Sequence, residues 1–333
     1  MADARGIGVA EENVLIQAGS CSLTILPHLG GKIASLRLRG RELLQAPLAP
    51  LAPRTCSMPF DESDASGWDE CLPSVAACTV ETADGEAHIP DHGDLWRVAW
   101  RKKPLDERKS GAGKPASAPP ESEVTLLAEC FSLPLALDRT VSLATAGSGW
   151  RIDLKYKVTH TGKVPVPWSW AAHPLFSAEA GDRIVLPGSI RELLVEGSGG
   201  GRLGKTGARV AWPQAVLSDG STADLSLAQT PASGIGDKLF AGPLAAHENW
   251  CALERPRAGV RLTVRFDPAA TPYLGLWICC GGWPERPGPK QNCVAMEPAT
   301  APVDSLARTG PWSRTLGPGE SSSWQMHVDV EII

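Results

Sequence analysis

Apolar and polar residues alternate in short runs along most of the chain. "RLTVRF" and "RIDLKYKV" alternate strictly, the period of antiparallel strands buried on one face. "NVLIQAG", "CSLTILP", "KIASLRLRG" and "RELLQA" follow one another near the start, each closed by Gly, Pro or polar residues. The pattern resumes at "EVTLLAECF", "DRTVSLA", "RIVLPG", "YLGLWICC" and "SSWQMHVDVEII". No segment keeps a helical period over several turns. With 34 Gly and 29 Pro, turns are frequent and long helices are disfavoured. The pattern predicts an all-β chain, a large antiparallel β-sandwich.

Two stretches interrupt the strands. Residues 106–123 are polar and rich in Pro, Gly, Ser and Lys, and are expected to form a mobile surface loop. Strand patterns of one kind flank it, so one domain over residues 1–333 is predicted. Residues 197–207, "GSGGGRLGKTG", lack the spacing and the strand-turn-helix setting of a phosphate-binding loop.

Composition narrows the field. A net charge of −5 gives no basic surface for nucleic acid or anionic membrane. No apolar run approaches the ~18 residues of a membrane span, and the first residues do not read as a signal peptide. The 9 Cys include no CxxC pair, and adjacent Cys279 and Cys280 read as small core residues. Reduced thiols and a cytoplasmic location are expected. The 12 Trp outnumber the 5 Phe and 2 Tyr. Most belong in a core, but an indole also suits the C–H face of a sugar and offers an N–H to a hydroxyl.

Few groups carry chemistry. Glu297 in "NCVAMEPAT" ends an apolar run, where a carboxylate is costly unless paired, hydrogen-bonded or used. His92 follows a Pro-Asp turn in "IPDHGDLW", and His173 lies in the apolar, aromatic run "PVPWSWAAHPLF". Asp237 sits in "GIGDKLFAG" and Lys238 follows it. Asp69 and Glu70 are adjacent in "SGWDECLPSV", so an extended segment points them to opposite faces and at most one lines a given cavity.

These motifs, with "LGGKIASLRLRGRELL" before them and "LGPGESSSWQMHVDV" after, fall in the order found in the aldose 1-epimerase family, the galactose mutarotase-like proteins, which the chain resembles over nearly its whole length. The resemblance implies a large antiparallel supersandwich and an isomerase that interconverts sugar anomers with no metal or other cofactor. It implies Glu297 as base, His173 as an acid in imidazolium form and His92 as a partner of the ring oxygen. Asp237 is the implied sugar ligand; Lys238, Asp69, Trp68, Trp96 and Trp277, near these motifs, are further candidates for contact with the sugar. Galactose mutarotases carry an Asn-Arg pair before the first His, and Tyr-Phe-Asn-Leu after the second. Here "GWDEC" and "PLF" stand instead, so the chain is more similar to a "GWDEC" branch of undefined substrate. The implied partner is a small sugar, with no nucleic acid and no membrane. Two other readings stay open. One is a carbohydrate-binding protein without catalysis on the same scaffold. The other is a metal-dependent hydrolase using His88, Asp91, His92 and Asp94, although no HxH or HExxH spacing is present.

Overall fold

The structure is a computed structural model that describes residues 12–103 and 122–333. The loop expected at 106–123 lies almost wholly outside the described residues. The strands on either side of it, Arg101–Lys102 and Glu123–Glu129, are antiparallel neighbours in one sheet. The described residues form 25 strands, several single 3-10 turns and no α-helix. Most strands belong to two antiparallel sheets, of 11 and 8 strands. The all-β expectation therefore holds.

The 8-stranded sheet shows the simplest link from pattern to packing. Leu135–Ala146 and Gly149–His160 pair along their full 12 residues. The turn between them uses Gly147 with φ +59°, a conformation that costs glycine little. Ile152, Leu154, Tyr156 and Val158 turn inward, while Lys155 and Lys157 point to water. The inward residues join one hydrophobic cluster with residues of the larger sheet such as Ile16, Leu23, Ile33 and Leu36. Each fully buried Leu, Ile or Val contributes roughly 1.5–3 kcal/mol relative to exposure.

The larger sheet differs at its centre. Ala171–Ser177, Asn292–Ala299, Tyr273–Cys280 and Ile235–Ala241 lie side by side in that order. These strands are buried on both faces, which explains the continuous apolar runs "CVAM" and "YLGLWICC". One face, with Ala172, Phe176, Leu239, Leu276, Val294 and Met296, packs into the core between the sheets. The other face carries two smaller apolar clusters. Leu175, Cys279, Cys293 and Ala295 form one, with Trp277 and Trp283 packed on it. Cys71, Val75, Ala171, Phe240, Tyr273 and Ala299 form the second. Polar side chains occupy the ground between them.

Candidate active site

The site is a product of sheet register. His173 pairs with Asp69 on one side. On its other side Ala171 faces Ala299 and Leu175 faces Ala295, which sets His173 across from Glu297. Glu297 pairs with Gly275, and Gly275 with Phe240. Two residues along, Trp277 pairs with Lys238. Side chains alternate with a period of two, so His173, Glu297, Trp277 and Lys238 all emerge on the face turned away from the core. Gly275 leaves room for the carboxylate: a Cβ there would stand 3.0 Å from Glu297 Oε2.

These groups line a cavity of about 200 Å³ together with Phe60, Asp91, His92, Trp283, Gln291 and Asp304. That is below the ~300–1,000 Å³ of pockets for drug-sized ligands and suits only a small one. His92 comes from the loop side. It adopts φ +59°, uncommon for a residue with a Cβ, and its N–H donates to the Val75 carbonyl at 2.5 Å. Gly93 follows with φ +67°, and a Cβ there would sit 2.3 Å from the Leu72 oxygen. The His-Gly pair thus enters a turn pressed against the Leu72 backbone. The imidazole stacks on Phe60, centroids 3.7 Å apart and planes 11° apart. Its Nδ1 lies 2.9 Å from Asp91 Oδ2, which leaves Nε2 for a ligand. The His173 ring meets it edge-on at 5.0 Å. Trp277 Nε1 donates to Gln291 Oε1 at 2.9 Å, and Gln291 Nε2 to the Ala65 carbonyl at 3.0 Å, which fixes one wall.

The electrostatics centre on Glu297 and Lys238. The Lys238 ammonium donates to Glu297 Oε2 and lies 3.5 Å from Asp304 Oδ1. Glu297 Oε1 is 3.8 Å from His173 Nε2. Glu297 Oε1, His173 Nδ1 and Asp304 Oδ1 are buried and have no hydrogen-bond partner among the described residues. Buried polar atoms are nearly always paired, so three in one cavity mark a place shaped for a polar ligand. Burial alone would lower the Lys238 pKa, but Asp304 and Glu297 outweigh it and hold the ammonium above its ordinary range. Burial, opposed mainly by Lys238, raises the Asp304 carboxyl to about 6. Burial, then the charges of His92, Lys238 and Lys32, pushes His173 well below the usual histidine range. His173 is therefore neutral near pH 7. This corrects the imidazolium expected for it, because burial first and then the cations around the cavity disfavour the charged ring.

The structure brings together Glu297, His173, His92, Lys238 and Trp277. It does not bring in the other candidates. Asp237 is one residue from Lys238 and so faces the opposite side of the sheet. It is fully buried there, accepting from Ser198 Oγ at 2.6 Å and from Arg202 Nε at 2.8 Å. Lys238, not Asp237, holds the cavity-facing position. Trp68 is core, edge-on to Phe176 at 6.4 Å. Trp96 lies beneath Phe60 at 5.2 Å and shares its faces with Arg97 and Arg54, so it supports the wall without lining it. Asp69 shares the face of His173 but is spent on Lys32 and Arg54, at 2.6 and 3.3 Å. Glu70 points the other way, into the core, where Arg139, Tyr156 and Trp170 donate to it. The four residues of the metal reading do not converge. His88 Nδ1 bonds Thr79 Oγ1, and Asp94 accepts from Phe131 and Ser132. Among the described residues no group of three or more His, Cys, Asp or Glu is placed to hold a metal ion.

Sequence reasoning missed Asp304, Gln291, Phe60 and Trp283. Asp304 stands in "TAPVDSLA" with nothing local to mark it. Phe60 reaches the site because Arg97 holds the Met58 carbonyl, with Nε at 3.1 Å and Nη2 at 2.9 Å. No pattern in a single sequence records such a tie.

No protein-family model matches the chain, and no curated protein sequence does. Solved structures do. Slr1438 from Synechocystis sp. PCC 6803 superposes with a TM-score of 0.68 at 15% identity, over 100% of both chains. A galactose mutarotase-like protein from Lactobacillus casei ATCC 334 gives 0.61 at 14%, over 96% of this chain and 100% of that one. The GalM/aldose epimerase homologue from C. elegans gives 0.63 at 13%, over 97% and 99%. The chain has the galactose mutarotase-like fold of these proteins.

Proposed function

We propose that the chain is an isomerase of the aldose 1-epimerase type, interconverting the anomers of a small sugar by opening and reclosing its ring. A fold of this kind hosts more than one activity, so the reading rests on the site. The observation that carries it is the buried Glu297 Oε1, which has no hydrogen-bond partner among the described residues and lies 3.8 Å from His173 Nε2 in the cavity. The two sugar oxygens that exchange a proton, O1 and O5, are bonded to the same carbon. Acid and base must therefore converge on one small region, as these two groups do. Glu297 Oε1 takes the O1 proton while the N–H of neutral His173 hydrogen-bonds O5. The C1–O5 bond breaks, C1 becomes a carbonyl carbon, and O5 keeps a proton returned from Glu297 directly or through His173. Rotation about C1–C2 and the reverse steps give the other anomer. No net proton is gained or lost. His92 Nε2 would hold a further sugar oxygen, and Trp277 and Trp283 would face the ring.

The test is saturation-transfer NMR or polarimetry on freshly dissolved D-glucose, D-galactose and D-xylose, with the parent and Glu297→Gln. The amide keeps size and shape but accepts no proton. The expected loss of rate is at least ~100-fold, the lower end for a general base, with the unfolding midpoint nearly unchanged. An unchanged rate per folded molecule would sink the assignment. A binding protein without catalysis is the second reading, and the Lys238–Glu297 ion pair favours it, since an ammonium on one carboxylate oxygen weakens the base. Sugar binding by the parent with no acceleration of mutarotation would establish that alternative.

A further inference from the structure

Two carboxylates share one ammonium in the cavity, and the reaction needs only one of them. Lys238 is buried, with its Nζ bonded to Glu297 Oε2, 3.5 Å from Asp304 Oδ1 and 5.4 Å from the centroid of Phe240. Asp304 is held by its backbone, not by its side chain. Its carbonyl accepts from the N–H groups of Val75 at 3.0 Å and Ala76 at 2.8 Å, and from Ser74 Oγ at 3.0 Å. Its N–H donates to Glu196 Oε1 at 3.2 Å, and that carboxylate is itself held by Arg308 at 2.6 Å. The loop is thus anchored at its backbone while Oδ1 is buried with no hydrogen-bond donor. The Lys238 ammonium is thus a charged neighbour of Oδ1 at ion-pair distance, with no closer hydrogen bond fixing that oxygen.

We propose, on the epimerase reading of this same site, that Asp304 is a positioning residue: it is the standing counter-charge of Lys238 during the interval in which Glu297 is protonated. When Glu297 takes the O1 proton it becomes neutral. Lys238 would then be a buried cation without a partner, one of the most unfavourable states a protein interior can hold. Asp304 prevents this, because its charge does not change in the step. The ammonium moves its main hydrogen bond from Glu297 towards Asp304 Oδ1 and returns when Glu297 gives the proton to O5. The pair leaves Glu297 free to cycle and keeps a positive charge where O1 and O5 carry transient negative charge. Asp304 does not touch the reacting atoms. It acts through Lys238.

The experiment is a double-mutant cycle of Asp304→Asn and Lys238→Met with two readouts. The first is the rate of anomer interconversion. The second is the ¹³Cγ NMR titration of Asp304, the carboxyl resonance that Asp304→Asn removes, and it needs no turnover. Asp304→Asn alone should lower kcat about 10–100-fold, the factor that one lost charged partner is worth, with KM changed by less than about threefold. In Lys238→Met the Asp304 resonance should titrate at higher pH than in the parent, because the ammonium that favours its charged form is gone. Asp304→Glu, which keeps the charge, should restore the rate towards the parent. In the Lys238→Met background, Asp304→Asn should change the rate by less than about twofold, because the partner it acts through is gone. An equal loss in both backgrounds, or an Asp304 titration unmoved by Lys238→Met, overturns the proposal. If the parent accelerates none of the sugars, the epimerase reading fails by itself. The titration then still decides whether Asp304 is the counter-charge of Lys238.

Discussion

Glu70 and Glu297 sit on the same sheet, each no more than 1% exposed, each beside a basic partner, and they face opposite ways. On the core side, Glu70 Oε1 accepts from Arg139 at 3.1 Å and from Tyr156 at 3.0 Å, and Oε2 accepts from Trp170 at 3.0 Å. Both oxygens are in use. Burial still pushes this carboxyl up to about 7, against the pull of Arg139, Tyr156 and Trp170. On the cavity side, Glu297 has one oxygen on Lys238 and the other without a donor. Burial is equal and each has a cation. Saturation is what separates them. A carboxylate whose lone pairs are all occupied by fixed donors is part of the framework, and one left half-occupied in a cavity is available for chemistry.

The comparison predicts opposite outcomes for the two residues. The largest effect should come from Glu70→Ala, which strands Arg139 in the core. We expect a loss of about 3–5 kcal/mol of stability, as for breaking one side of a buried pair, with the rate per folded molecule close to the parent. Urea unfolding and anomerisation on one sample measure both. A rate that collapses while stability holds would put Glu70 in the chemistry and break the contrast.

His173→Asn comes next. It should slow interconversion by about 100-fold, and its stability should depend on pH with a definite sign. The folded pKa of His173 lies well below its ordinary value, so between the two the unfolded chain binds more protons than the folded one. Stability from this residue is present above about 6.5, the free histidine pKa, and falls away as pH drops below it. Removing His173 removes that loss. The midpoint difference between parent and variant should therefore shift in favour of the variant from pH 8 to pH 5. A constant difference would mean that His173 titrates alike in the folded and unfolded chain, and a shift in favour of the parent would mean that it is charged in the fold.

The smallest effect belongs to Asp237→Asn. It weakens an ion pair with Arg202, whose side chain is 22% exposed. We expect a stability loss of about 1–3 kcal/mol, the range for a buried group that loses its partner, and no change in KM for any sugar. A raised KM would return Asp237 to the site.

The fold was legible because alternation is local. Lys155 and Lys157 between Leu154, Tyr156 and Val158 show their faces without help from distant residues. The site was legible only in part. Glu297 stood out because a carboxylate interrupts "CVAM", and His173 because it interrupts an aromatic run. The choice between Asp237 and Lys238 turns on which parity of the Ile235–Ala241 strand faces the cavity. Both residues are buried, so hydrophobic patterning is silent there. Parity became visible only through the pairing with Tyr273–Cys280. Asp304 was invisible for a different reason: its value lies in a loop position anchored by Ser74, Val75 and Ala76, more than two hundred residues earlier in the chain.

The rung that runs from Asp69 through His173, Glu297 and Gly275 to Phe240 has a bearing on how such a protein can change over generations. A single inserted or deleted residue inside any of these strands would exchange its two faces. In Asn292–Ala299 it would turn Glu297 towards the core and Met296 into the cavity, ruining packing and chemistry together. The strands can therefore drift only by replacement, one side chain at a time, at fixed length. Novelty in what is bound must come from segments outside them, such as residues 45–66 and 281–291, where lengthening moves a wall and leaves the floor in place.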